Sequence, residues 1–170
     1  MNLSEAKAEF VRAWGQFGTE WGINRTMARI HALLLASPAP LDTDRVMGEL
    51  GVSRGHANTN LRGLVDWGVV RKVQRPGVRK DLYEAEKDMW EVARRVAERR
   101  RSRELDPILR AVSRLAVAEP GRGEDPGEAR AFRRLMKDIG RVGKDAGRLL
   151  GLVTALDRGG FFGRLLRLGR

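Results

Sequence analysis

Four side chains in a short stretch of this 170-residue sequence are the best equipped for specific hydrogen bonding: Arg54, Asn58, Thr59 and Arg62. An asparagine amide can donate to and accept from adenine at once, and a guanidinium can donate twice to guanine. If the stretch is helical, Ala57, Leu61 and Leu64 fall at i, i+4 and i+7 on one side, with Val65 beside them, and that side is expected to be buried. The opposite side carries Gly55, Thr59, Arg62 and Asp66, flanked by Arg54, His56 and Asn58. Small and polar residues in the first turns are what a helix needs to enter a major groove. Ser53 stands where an N-cap belongs, and the helix N-terminus behind it is expected to take a phosphate. The plain alternative is a solvated polar face, and His56 is as readily a merely exposed histidine as a phosphate contact.

A second cationic cluster follows. Arg71, Lys72, Arg75, Arg79 and Lys80 precede the first acid, Asp81. Arg75-Pro76-Gly77-Val78 has proline second and glycine third, the residue order of a type II turn. Val69 to Gln74 and Arg79 to Ala85 read as the two strands it joins, with Leu82 and Tyr83 as anchors. Arginine at such a tip can enter the negative potential of a minor groove. Charge that protects an edge strand is the competing explanation, and it accounts for one or two cations rather than five. Asp81, Glu84 and Glu86 are expected to face the body of the protein.

These two groups need a scaffold, and the surrounding sequence supplies helix signals in order. Ser4 reads as the cap of a first helix carrying Phe10, Val11, Trp14, Phe17 and Trp21, which Gly18 and Gly22 close. Asn24 caps a second helix, stopped by Ser37-Pro38 and Pro40. Asp42 caps a short third, with Val46, Met47 and Leu50 as its buried edge and Gly51 as its left-handed terminus. Gly51-Val52-Ser53 then has the length of a helix-turn-helix corner. Helix, corner, helix, hairpin is the winged helix order. Beyond it, Asp88 and Glu91 stand in capping-box spacing before a charged helix through Arg103. Asp106-Pro107 reads as a restart, 119–127 as a loop, and Glu128 to Asp157 as a last long helix. The expected fold is mainly α with a small β-hairpin wing. Its divisions are 1–22, an N-terminal helix contributing to a dimer, 23–87, the winged helix-turn-helix, and 88–170, a C-terminal helical dimerisation and effector region.

Several stretches together resemble the GbsR/MarR-type family of bacterial transcriptional regulators. They are Trp21 to Thr26 with Ala28 to Leu34, Ser37 to Asp44, Ser53-Arg54-Gly55, Asn60 to Val70, and Gly77 to Lys80 with Tyr83 to Glu86. The resemblance covers roughly the first two thirds of the chain. It implies a dimeric repressor or activator with MarR-like N- and C-terminal dimerisation helices. Members are associated with glycine betaine and choline, and a quaternary ammonium requires an aromatic cage. Trp14, Trp21, Trp67 and Trp90 are the residues that could build one, although core packing is the more common role for tryptophan at helical spacing.

A dimer would match paired half-sites one helical turn apart. Phe132, Leu135, Ile139, Val142, Ala146, Leu149, Val153 and Leu156 alternate spacings of three and four, a heptad seam. Gly143, Gly147 and Gly151 stand beside it and suggest close backbone contact. Packing between subunits and packing against 105–117 of the same chain are equally compatible with this pattern. The run from Arg94 to Arg103 fits a DNA-facing or a simply solvated surface. The tail after Asp157, with Phe161, Phe162, Leu165, Leu166 and Leu168 among arginines, fits a membrane-surface helix or docking onto a partner subunit.

Lys and Arg total 33 against 22 Asp and Glu, a net charge of +11, so a polyanion is the natural partner. There is no cysteine and there are two histidines, leaving no thiol chemistry, no metal cluster and no nucleophile-base pair to support an enzyme. No cofactor is expected. Met1 to Phe10 lacks a signal-peptide core and Ile30 to Ala36 is too short to span a bilayer, so a cytoplasmic location without membrane insertion is expected. The expected partners are double-stranded DNA and a second copy of the chain, with a small-molecule effector left open. The leading expectation is a dimeric, sequence-specific regulator, more in keeping with a repressor. The alternative is a winged-helix protein-interaction module or a non-specific nucleoid-type DNA binder.

Overall fold

The computed structural model describes residues 1–156, without the side chains of 150 and 152–156. The chain divides into two compact units, 1–96 and 97–170. The first contains α1 (Leu3–Glu20), α2 (Arg25–Ala36), β1 (Leu41–Asp42), α3 (Thr43–Leu50), α4 (Arg54–Asp66), β2 (Val70–Val73) and β3 (Leu82–Ala85). α5 (Met89–Arg100) begins in it. The second holds α6 (Asp106–Leu115) and α7 (Pro126–Leu156).

The helix starts of the first unit are set by side-chain caps. Asn24 Oδ1 accepts from Met27 N–H, Asp42 Oδ1 from Arg45 N–H at 2.8 Å, and Ser53 Oγ from His56 N–H. Gly51 ends α3 at φ 64°, where a side chain would be strained. α1 departs from expectation. Its cap is Asn2, not Ser4, because Asn2 and Glu5 form a reciprocal capping box, whereas the residue three beyond Ser4 is Lys7. Gly18 does not close α1 either. It is buried inside the helix, and a Cβ there would stand 2.5 Å from the Ala28 Cβ of α2.

The core of this unit is built from Val11, Met27, Ile30, Leu34, Val46, Leu61 and Val69 with their neighbours. Leu61 sits beneath α4, as its periodicity predicts. Val65 does not: it is 37% exposed, because it lies roughly 80° around the helix from the Ala57–Leu64 line. The sheet is three-stranded and antiparallel, in the order β1-β3-β2. The two-residue β1 was not anticipated. β3 is shorter than expected, beginning at Leu82, which pairs with both Val73 and Asp42. Residues 74–81 therefore form one long loop, and Arg79 and Lys80 belong to it rather than to a strand. At its tip Val78 N–H donates to Arg75 C=O, and Gly77 has φ 78°, as a type II turn requires. Tyr83 alone of the two expected anchors is buried, since neighbours on a strand face opposite ways.

Asp88 caps α5 by accepting from Trp90 and Glu91 N–H. The expected return bond from Glu91 is replaced by bonds from Arg94 and Arg95. α6 does begin at Asp106-Pro107, with proline in its first turn, but Asp106 is not its cap. The backbone passes through a π-helical turn, Arg101–Leu105, and Asp106 N–H reaches Arg101 C=O, without a side-chain cap. Pro107 has no N–H to keep the α-ladder in step, and the wider turn accommodates that loss. The start of α7 is instead made by Asp125-Pro126, where Asp125 accepts from Gly127 and Glu128 N–H. Within the second unit α7 packs on α6 through Met136, Gly140, Gly143 and Gly147, which face Leu105, Leu109 and Val112.

Candidate nucleic-acid interface

The first turn of α4 leaves the corner at Ser53 and exposes Arg54, Gly55 and His56, followed by Thr59, Arg62 and Asp66. Asn58 is half-buried, and its Oδ1 accepts a 3.2 Å hydrogen bond from the Thr43 hydroxyl at the start of α3. That bond orients the amide and leaves its N–H₂ free to donate. Ser53 Oγ accepts the capping bond and keeps its own O–H to donate, so the phosphate-seeking groups at this terminus are that hydroxyl and the remaining backbone N–H donors.

The cations around this face fall into two classes. Arg54 donates to Asp44 Oδ1 at 2.5 Å, and Lys80 Nζ donates to Asp44 Oδ2 at 2.6 Å and Asp42 Oδ2 at 3.4 Å. One carboxylate in the first turn of α3 thus ties the start of α4 to the wing loop. These bonds, Lys80 first and Arg54 second, hold the Asp44 carboxyl below the usual carboxylate range. The Lys80 ammonium is pushed up by the same contacts. Lys72 pairs with Asp81 at 2.7 Å and Arg71 with Glu84 at 3.0 Å. Asp81 is half-exposed in this pair and does not turn toward the body. Arg62, Arg75 and Arg79 form the second class. They are exposed and take part in none of the ion pairs among the described residues.

The role of Asp44 had no local signal. Ten residues separate it from Arg54 and thirty-six from Lys80. The setting of His31 had no local signal either. It is buried beside Trp14, with ring centroids 6.2 Å apart, and its Nε2 has no hydrogen-bond partner. Burial, reinforced by the Lys87 charge, lowers its pKa to about 4. Lys87 itself donates to the carbonyls of Leu34, Leu35 and Ser37, satisfying the end of α2.

The four tryptophans stand at different places. Trp14 and Trp21 lie on one tilted aromatic ladder along α1, linked through Phe17 at 5.7 and 5.3 Å. Trp67 packs against the core at the end of α4, and Trp90 is 52% exposed in the first turn of α5. In the second unit, Phe132, Leu135, Ile139, Val142, Ala146 and Leu149 are all exposed on α7. The glycine face packs on α6 instead. The side chains of Val153 and Leu156, and the tail from Asp157, lie outside the described residues. Among the described residues no helix is long and apolar enough to cross a membrane, and no group of His, Asp and Glu could hold a metal.

A helix-turn-helix entered from β1 and followed by the β2–β3 hairpin and its loop is a winged helix fold, mainly helical with a small antiparallel sheet. A solved transcriptional regulator shares it: TM-score 0.58 at 22% identity, covering 88% of this chain and 99% of the other. In sequence, the chain is similar to the HTH-type transcriptional regulator YvaV of Bacillus subtilis, 25% identical over 89 residues. It is also similar to the HTH-type transcriptional repressor OpcR of the same organism, 27% identical over 71 residues. The matches cover 52% and 42% of this chain and 50% and 38% of those relatives, so the chain spans half of their length or less. No family model matches the chain.

Proposed function

We propose that this chain is a sequence-specific, DNA-binding transcriptional regulator of the GbsR/MarR type, acting in the cytoplasm as a homodimeric repressor. The observation that carries this reading is the pairing of a small, polar, exposed face on α4 with a loop bearing free arginines. α4 lies in the major groove, where Arg62 and the N–H₂ of Asn58 face base edges and Thr59 and Gly55 give the approach room. Arg75 and Arg79 reach the flanking minor groove and its phosphates. Ser53, Arg54, His56, Lys72 and Lys80 contact the backbone, those in ion pairs exchanging carboxylates for phosphates. Similarity to two helix-turn-helix regulators supports the same assignment.

The dimer forms on the exposed seam of α7. Val142 is 70% and Leu149 64% exposed, and an apolar heptad stripe on a 31-residue helix matches a second copy of itself. Two copies present two recognition helices, which a paired operator requires.

The test compares binding to promoter fragments from the gene's own neighbourhood with binding to random duplex at one salt concentration. Wild type is expected to favour one fragment by about 10³-fold or more. Arg62→Ala should reduce that preference by roughly tenfold while random-duplex binding changes less. Equal affinity of the wild type for all duplexes would refute the assignment and leave a non-specific binder.

A further inference from the structure

α7 has a third face that neither its packing on α6 nor the proposed seam uses. Arg130, Arg134, Lys137, Arg141, Lys144 and Arg148 recur at spacings of four and three, and all six are exposed. At about 100° per residue they form a single stripe. It lies on the far side of the α6-facing glycines from the apolar seam. No acid shares it. Asp138 and Asp145 stand outside it and reach in only to Arg141 at 3.6 Å and Arg148 at 3.1 Å. Arg130, Arg134, Lys137 and Lys144 join no ion pair among the described residues.

An ordinary solvated helix alternates charge signs, because opposite charges three or four apart stabilise it and like charges destabilise it. Here every neighbouring pair along the stripe is repulsive, on a helix already weakened by Gly140, Gly143 and Gly147. The stripe runs over nineteen residues, Arg130 to Arg148, a rise of about 27 Å, a length over which one face of a duplex offers several phosphates.

We infer that the cationic stripe of α7 is a second DNA-contacting surface, which follows the phosphate backbone without reading sequence. The inference rests on the DNA-binding assignment for its choice of polyanion, but not on sequence specificity. The stripe adds affinity for any duplex, while discrimination stays with α4.

The test uses the full chain carrying Arg134→Gln, Lys137→Gln and Lys144→Gln, titrated with random-sequence duplex over a range of salt. Each lost phosphate contact lowers the slope of log affinity against log salt by about 0.9. The triple variant is expected to lose roughly 2 to 3 from that slope and about tenfold or more in low-salt affinity. Its promoter-to-random ratio should be unchanged. Lys137→Arg with Lys144→Arg should keep the wild-type slope. Glutamine favours helix and removes repulsion, so the melting temperature of the triple variant should equal or exceed that of wild type. A melting temperature as high as wild type with an unchanged slope would overturn the inference. So would loss of binding to phosphatidylserine vesicles with duplex binding intact, which would make the stripe a lipid surface. If wild type shows no sequence preference but the triple variant still loses slope, the stripe stands and the specific-regulator assignment falls.

Discussion

Asp44 is an unexpected group to find among residues proposed to meet phosphates. Its carboxylate occupies Arg54 and Lys80, so DNA bound in the proposed mode has to displace it. An exposed pair of this kind is screened by solvent and adds little to stability, which leaves little structural reason for placing an acid there. Its cost falls on indiscriminate binding, because every duplex must compete with it. Asp44→Asn is expected to raise affinity for random duplex about threefold to tenfold and to lower the promoter-to-random ratio, as fluorescence anisotropy at fixed salt would show. His31 gives a second residue-scale prediction. Its folded pKa is about 4 against 6.5 for the free side chain, so the unfolded chain binds the extra proton first. Stability is therefore whole above pH 6.5 and is lost as pH falls toward 4. Between pH 7.5 and 5 the loss should be on the order of 2 kcal/mol. Glu91, lowered to about 2 by Arg94 and then Arg95, is ionised in the folded protein throughout that window. Denaturant melts of wild type and His31→Leu should show the slope in the first and a much flatter line in the second.

At the scale of elements, α1 and α2 approach so closely at Gly18 that helix propensity and packing oppose each other. Alanine would gain roughly 1 kcal/mol as a helix former, yet its Cβ would meet the Ala28 Cβ, which has no rotamer to yield. Gly18→Ala should destabilise the protein by about 1–3 kcal/mol in urea melts; a stabilised variant would show that the helices slide apart freely. The same contrast between local and tertiary causes explains what the sequence disclosed. Asn24, Asp42, Ser53, Gly51 and the Pro76-Gly77 turn were legible because each acts on backbone within a few residues. The Arg54–Arg62 face was legible for the same reason, since helical spacing alone separates it from Leu61. The two Asp-Pro pairs were not distinguishable by sequence. At 106–107 the preceding residues continue the helix through a π turn, whereas at 125–126 they are loop, a difference the dipeptide itself does not carry. β1 was invisible because two residues carry no period, and the Asp44 bridge because its partners are distant in the chain.

For the molecule as a whole, the decisive expectation concerns assembly. If the proposed dimer forms on the exposed seam of α7, it is separable from the fold, since the face that packs on α6 is a different one. Ile139→Lys places a charge in the middle of the seam. By light scattering it should convert dimer to monomer at micromolar concentration, with circular dichroism unchanged. Specific affinity should fall about 100-fold or more, because each monomer then reads one half-site. A variant that remains dimeric would assign the seam to another role.

Asp42 has three attachments at once. It ends β1 against Leu82, its Oδ1 holds the Arg45 N–H, and its Oδ2 faces Lys80. The wing loop and the first turn of α3 are therefore geared together through one side chain. A ligand that pulls Lys80 away alters the restraint on that carboxylate. The solvent-exchange lifetime of the Arg45 amide hydrogen thereby becomes a built-in gauge of whether the wing is engaged.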